Sequence, residues 1–278
     1  MTTRSILKKS FAVFLKRNLA FANLAVVTNL EYRLNYFIDA LVQPTLTTGI
    51  EILLWIAVFK GAHTDMIAGF SKDNYLSYAL WSAFFARIAT SWMYESRMIE
   101  EVSSGTINSL IVRPMSFYEY YLSQLMGYKL VTTLVSLIIP LIAAWYFKLP
   151  TDYSRVPLAM LLCFYYLILV HSISFIISTL AFHFTKISSM TAAKNLLMWI
   201  LMGELFPLDL LPEPFKAIFI AAPFASGVFI PVGYIIGRVD IQTMYSGFIS
   251  VTIGLVVLNL IGAYMWKKGL ESYVGTGA

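Results

Sequence analysis

Apolar residues run through the chain in long blocks, with the polar residues gathered between them. A helix needs about 20 apolar residues to cross a hydrocarbon core roughly 30 Å thick. Blocks over 34–59, 75–94, 120–147, 156–182 and 244–266 suit that length, and 190–206 is a shorter one. Together they predict an all-α membrane protein with six transmembrane helices. From 207 to 236 the apolar character continues, but Pro207, Pro212, Pro214, Pro223, Gly227, Pro231 and Gly233 interrupt it. Irregular backbone at membrane depth is tolerated only where protein or a water-lined cavity satisfies it. This stretch is therefore expected to form re-entrant helices between the fifth and sixth spans.

Two segments outside the spans have a different pattern. Over 1–30, Lys8, Lys9, Lys16 and Arg17 interleave with Ile6, Leu7, Phe11, Phe14, Leu15, Leu19 and Phe21. A signal peptide would instead show one basic end, a short apolar core and a small-residue cleavage site. The interleaving predicts an amphipathic helix on the membrane surface, its bases facing anionic headgroups. Over 95–117, Met98, Ile99 and Val102 share a helical face, with Glu95, Glu100 and Glu101 on other faces. Gly105 can end that helix in the left-handed conformation. Ile107, Leu110 and Ile111 then resume the stripe before Pro114 stops it. A short amphipathic helix pair beside the bilayer is expected there.

Composition excludes a soluble protein. Of 278 residues, 59% are hydrophobic and 13% charged, about half the roughly 25% charge of a soluble domain. Cys163 is the sole cysteine, so no intrachain disulfide forms, and no Cys/His cluster has metal-ligand spacing. The net charge of +5 is small and scattered, which does not imply nucleic acid. Its distribution sets orientation, because Lys and Arg collect on the cytoplasmic side. With both termini inside, twelve basic residues fall inside and six outside, while Arg87 and Lys129 lie within spans. Both termini are expected in the cytoplasm.

The chain carries little chemistry of its own. It contains no G-x-x-x-x-G-K-[ST] phosphate loop, H-E-x-x-H, G-x-S-x-G or kinase-type set. His63, His171 and His183 fall in separate segments. An enzyme is not indicated, and no cofactor or metal is expected on this chain. Ionisable groups within spans are the default functional candidates. Asp39, Arg87, Lys129 and His171 fall in the cytoplasmic half of their spans, and Glu51 lies nearer the outside. Asp39 pairing with Arg87 or Lys129 would offset burial, a purely structural role. The alternative is a polar vestibule that receives substrate. Trp81, Phe84, Phe85, Trp92 and Tyr94 crowd the second span. They could line a substrate path, holding an aromatic or cationic solute, or simply pack against helices and lipid.

The segment after the second span reads Ser104-Gly105-Thr106-Ile107 through Leu110 to Arg113-Pro114-Met115-Ser116. It resembles a motif of the compact six-span membrane subunits of bacterial ABC-2-type exporters. Leu30-Glu31-Tyr32-Arg33 before the first span, Phe206-Pro207-Leu208 with Leu211-Pro212 and Pro223-Phe224, and the tail Lys268-Gly269-Leu270-Glu271-Ser272-Tyr273 with Gly275 agree in order. The tail has fewer arginines than is usual. The resemblance implies a permease without its own ATPase, paired with a second permease chain, identical or paralogous, and with ATPase subunits that bind ATP and Mg. It also implies that Arg97 to Leu110 form the coupling helix that enters a cleft of the ATPase, with Glu100 and Glu101 candidates for pairing its basic residues. Arg97, Gly105, Thr106, Leu110, Arg113 and Pro114 belong to the same element, and 1–30 becomes the connecting helix. The same carboxylates could equally be a solvated loop face. A bacterial plasma-membrane location follows from the likeness. The substrate could be a drug-like amphiphile, a lipid or a lipid-linked glycan, and a non-transporting scaffold or signalling subunit is the competing class.

Overall fold

A computed structural model describes residues 3–31, 33–113, 115–184 and 187–273. Helix α1 (Thr3–Glu31) opens the chain, and α2 (Arg33–Phe37) runs through a π-helical turn, Ile38–Val42, into α3 (Gln43–Ala62). Pro44, at the start of α3, lacks the N–H that would bond the carbonyl of Ala40. The helix widens over the turn just before it. A hairpin of β1 (Met66–Ile67) and β2 (Phe70–Ser71) follows, its turn made by Ala68 and Gly69 at φ 48° and 81°. Two positive φ values are what a two-residue hairpin turn requires. This hairpin departs from an all-α fold, though the chain is otherwise nearly all helix.

Next come α4 (Lys72–Ile88), α5 (Trp92–Ser104), α6 (Asn108–Ile111), α7 (Phe117–Ser136) and α8 (Ile138–Tyr146). Ser116 and Glu119 form a reciprocal capping box that starts α7. The join at Leu137 falls just before Pro140, whose ring removes another helix N–H. Helix α9 (Val156–Thr179) leads to α10 (Ser188–Met202), and the proline-rich stretch folds as α11 (Phe215–Ala221) and α12 (Phe229–Ile235) with short 3-10 turns. Helix α13 (Ile241–Ser272) closes the fold, capped by Asp240, which accepts from the Thr243 N–H at 2.8 Å.

Among the described residues, four segments are long and apolar enough to cross a membrane: Ile38–Ala62, Phe117–Tyr146, Tyr153–Phe182 and Ile241–Ser272. They coincide with the first, third, fourth and sixth predicted spans. The other two are shorter. Helix α4 has 17 residues and α10 has 15, or roughly 26 and 23 Å at about 1.5 Å per residue. The predicted run 75–94 does not continue as one helix. It ends at Ile88, and Trp92 and Tyr94 belong to α5 beyond a break at 89–91.

Helix α9 is the central post. Its Ala159, Leu162, Cys163, Tyr166, Leu167 and Leu169 have no exposed surface. It packs against α4, whose Trp81, Phe84 and Phe85 are equally enclosed. On its other side, Gly247, Gly254, Gly262 and Gly269 of α13 lie against Leu162, Leu169, Phe175 and Phe182. Small residues let helix backbones approach closely, which is how helices associate when lipid is as apolar as the side chains. The opposite face of α13, with Ile249, Ile253, Val256 and Leu260, is exposed, as a lipid-facing helix requires.

The two ends of the bundle are tied differently. At one end, Phe117 stacks on Trp266 with ring centroids 5.1 Å apart, and Tyr273 donates to the carbonyl of Gly105 at 3.2 Å. Helix α1 lies along α7 at this end. Arg17 pairs with Glu119 at 2.9 Å, and Gly127 sits directly beneath the carbonyl of Ala22. At the other end, the guanidinium of Arg238 lies 3.6 Å from the centre of the Phe70 ring and 4.7 Å from that of Tyr75. Its Nε is 3.1 Å from a carboxylate oxygen of Asp209. This buried cation joins the hairpin, α4 and the turn before α11.

Candidate functional site

The break between α4 and α5 creates the polar interior of the molecule. Helix α4 ends at Ile88, and the final turn of a helix leaves carbonyls without partners. The carbonyl of Arg87 accepts from the buried ammonium of Lys129 on α7, a cation at the negative end of the helix. Ser91 shares a hydrogen bond of 2.9 Å with Ser174 of α9. A second irregularity meets this one. Asp39, within the π-helical turn, pairs with Arg87, and its backbone carbonyl accepts from the same guanidinium at 2.7 Å. Tyr128 donates its hydroxyl to the Asp39 carboxylate. Unsatisfied backbone freed at one helix defect is thus met by long basic side chains from its neighbours.

A cavity of about 330 Å³ opens beside this network, lined by Tyr36, Asp39, Arg87, Trp92, Arg97 and Lys129 among others. A second of the same size lies across Trp92 and is lined by Val170, Lys194, Met198, Trp199 and Met202, with Thr90, Ser91 and Trp92 shared between the two. Three of the charged residues singled out in the sequence therefore converge: Asp39, Arg87 and Lys129. Asp39 pairs with Arg87, while Lys129 turns to the α4 terminus. Of the aromatic residues that crowd the second predicted span, Trp92 and Tyr94 border a cavity, and Trp92 is 53% exposed. Trp81 and Phe85 sit in the packed core away from both. His171 is fully buried, its Nε2 3.0 Å from the carbonyl of Tyr118.

Helices α5 and α6 form a hook below this region. Met98, Val102, Ile107 and Leu110 are buried against Phe117, Tyr121 and Leu125. Gly105 takes φ 80° and turns the chain between the two helices, a conformation a side chain would strain. The outward face carries Glu100, Ser103, Ser104, Thr106, Ser109, Val112 and Arg113. Val112 is 84% exposed, an apolar residue that the sequence pattern did not single out. Arg97 is exposed too, its guanidinium 5.5 Å from the centre of the Tyr94 ring. Glu101 is half-buried beside Tyr121, so the two neighbouring carboxylates face different surroundings. Leu110 belongs to the internal face. Pro114 lies outside the described residues.

One connection was invisible in the sequence. Glu95, on the first turn of α5, is fully buried and forms an ion pair of 2.6 Å with Lys194 of α10. Ser174 of α9 donates to the same carboxylate. Lys194 is thus an internal side chain, lying within the apolar run 190–206. The pair anchors the hook to a helix almost a hundred residues further along the chain, and periodicity holds no information about such a partner.

This architecture, a bundle of apolar helices with a surface hook braced against its interior, agrees with the comparison to known families. The model of the family described as ABC-2 family transporter protein matches residues 45–277, which includes the hook, the proline-rich stretch, the lining of the second cavity and that of the first except Asn29, Tyr36 and Asp39. No curated protein matches the chain. The matched region spans nearly the whole fold, and the chain belongs to the ABC-2 family of transporter membrane proteins, the integral-membrane permease component that associates with an ABC ATPase subunit.

Proposed function

We propose that this chain is the permease of an ATP-driven exporter, forming half of the translocation path for a hydrophobic or amphiphilic substrate. In this reading it has six spans, with the short α4 and α10 as the second and fifth, and sits in a bacterial plasma membrane. Both termini and the α5–α6 hook are cytoplasmic. A second permease chain, with a slight preference for a paralogue, completes the path. Separate subunits bind ATP and Mg and dock on the hook. The drug or lipid class is favoured over a glycan because the cavities are small. At about 330 Å³ each, they are near the lower end of small-molecule sites.

The observation that carries this reading is the two-sided construction of the hook. Its inner face is core, and its outer face presents Glu100, Thr106, Val112 and Arg113 as exposed residues. A closing ATPase can shift the permease only through contacts that differ between two conformations. A braced hook transmits such a push to α9 and α10. Glu100→Lys should leave membrane insertion intact, reduce co-purification with the ATPase subunit and lower transport. Glu101→Lys adds a packing defect beside Tyr121, so the single Glu100 variant is the cleaner probe. Unchanged co-purification and transport in the Glu100→Lys protein would refute the docking role.

A further inference from the structure

We infer that the cavity beside the α4–α5 break is a site for an anionic headgroup, a phosphate or carboxylate borne on an apolar tail. This rests on the permease reading and names the substrate class of its path. Three cations, Arg87, Arg97 and Lys129, line the cavity against a single carboxylate, Asp39. That carboxylate is already engaged by Arg87 and by the Tyr128 hydroxyl. Lys129 is 8% exposed and is held by the Arg87 carbonyl and, at 3.5 Å, the Thr90 hydroxyl. It makes no ion pair among the described residues. A buried charge without a counter-charge is costly, most of all at membrane depth. The uncompensated charge is positive, so an anion entering the cavity neutralises it and a cation meets repulsion.

Two further features fit a headgroup rather than a free ion. The buried hydroxyl of Tyr36, a lining residue, has no hydrogen-bond partner among the described residues and can donate to an anionic oxygen. Next to the charges, Trp92 leads into the second cavity with its Met198, Trp199 and Met202. Lys194 in that cavity is already neutralised by Glu95, so the second cavity adds apolar surface without adding free positive charge. A head in the first cavity places its tail across Trp92.

The test is quenching of tryptophan fluorescence in the full chain reconstituted into phosphatidylcholine vesicles. The probes are dibromo-phosphatidylglycerol, dibromo-phosphatidylcholine, dibromostearate and its methyl ester. The two anionic probes should quench saturably, while phosphatidylcholine and the ester produce only the linear quenching of random lipid contact. Trp92→Phe should reduce the saturable component, and Trp92→Phe with Trp199→Phe should abolish it. Lys129→Met and the exposed Arg97→Gln should each weaken it by roughly tenfold, the scale of one charge-assisted contact. Saturation by the diacyl anion alone assigns the site to a membrane lipid, and saturation by the stearate alone assigns it to a single-chain solute. Equal quenching by anionic and neutral probes overturns the inference, as does a saturable component that Arg97→Gln and Lys129→Met both leave intact. The measurement requires no ATPase. It can therefore fail while co-purification succeeds, and co-purification can fail while it succeeds.

Discussion

Replacing Lys194 by Met isolates the brace that joins the hook to the bundle. The ammonium lies 2.6 Å from Glu95, with side-chain exposures of 12% and 0%. Methionine has similar volume, so the change removes charge with little loss of packing. What remains is a buried carboxylate satisfied by Ser174 alone, with its other oxygen lacking a hydrogen-bond partner among the described residues. Removing one member of a buried ion pair typically costs about 3–5 kcal/mol, because the survivor stays desolvated without compensation. The lower figure corresponds to a fall in Tm of roughly 6–12 °C for a chain of this size. Thermal unfolding of the purified protein, followed by tryptophan fluorescence, measures it. Glu95→Gln with Lys194→Met should recover most of the loss, since contacting residues couple by about 0.5–3 kcal/mol. If the hook works through this brace, the single variant also loses transport at temperatures where it remains folded. A loss below about 1 kcal/mol, or a double variant no more stable than the single, would refute the reasoning.

Two other perturbations test the ends of the molecule. A Cβ on Gly127 would lie 2.2 Å from the carbonyl oxygen of Ala22, so Gly127→Ala should push α1 away from α7. Faster protease cleavage within α1, or loss of a cross-link between cysteines placed at positions 18 and 123, would report it, and unchanged behaviour would argue against that contact. Arg238→Met strips a 1%-exposed guanidinium from Asp209 and from the Phe70 and Tyr75 rings. It should cost about 3 kcal/mol or more through the stranded carboxylate. Arg238→Lys should recover only part of this, because an ammonium lacks the planar group that stacks on rings; equal stability of the two variants would show that charge alone matters.

Much of the fold could be read from the sequence. The long apolar runs mark the segments that leave water, because each backbone polar group in lipid must be satisfied within a helix. Ile38–Ala62, Phe117–Tyr146, Tyr153–Phe182 and Ile241–Ser272 coincide with four of the predicted runs. Gly105 and the Met98, Val102, Leu110 stripe marked the hook, since a helix end and an amphipathic face are local properties. Interior contacts were another matter. Lipid is as apolar as a protein core, so a run of leucines and phenylalanines does not distinguish the face that meets lipid from the face that meets helix. Trp81 and Trp92 looked alike in the sequence, yet one is enclosed and the other lies 53% exposed at the cavities. Glu95 looked like part of the same exposed acidic cluster as Glu100. Its burial depends on Lys194 of α10, which meets it directly, and on Ser174 of α9, which donates to the same carboxylate. Hydrophobic periodicity acts over a few turns and determined the helices and their order. The charge network required side chains far apart in the chain to meet where the α4–α5 break and the π-helical turn leave backbone groups open, and only the tertiary structure decided that.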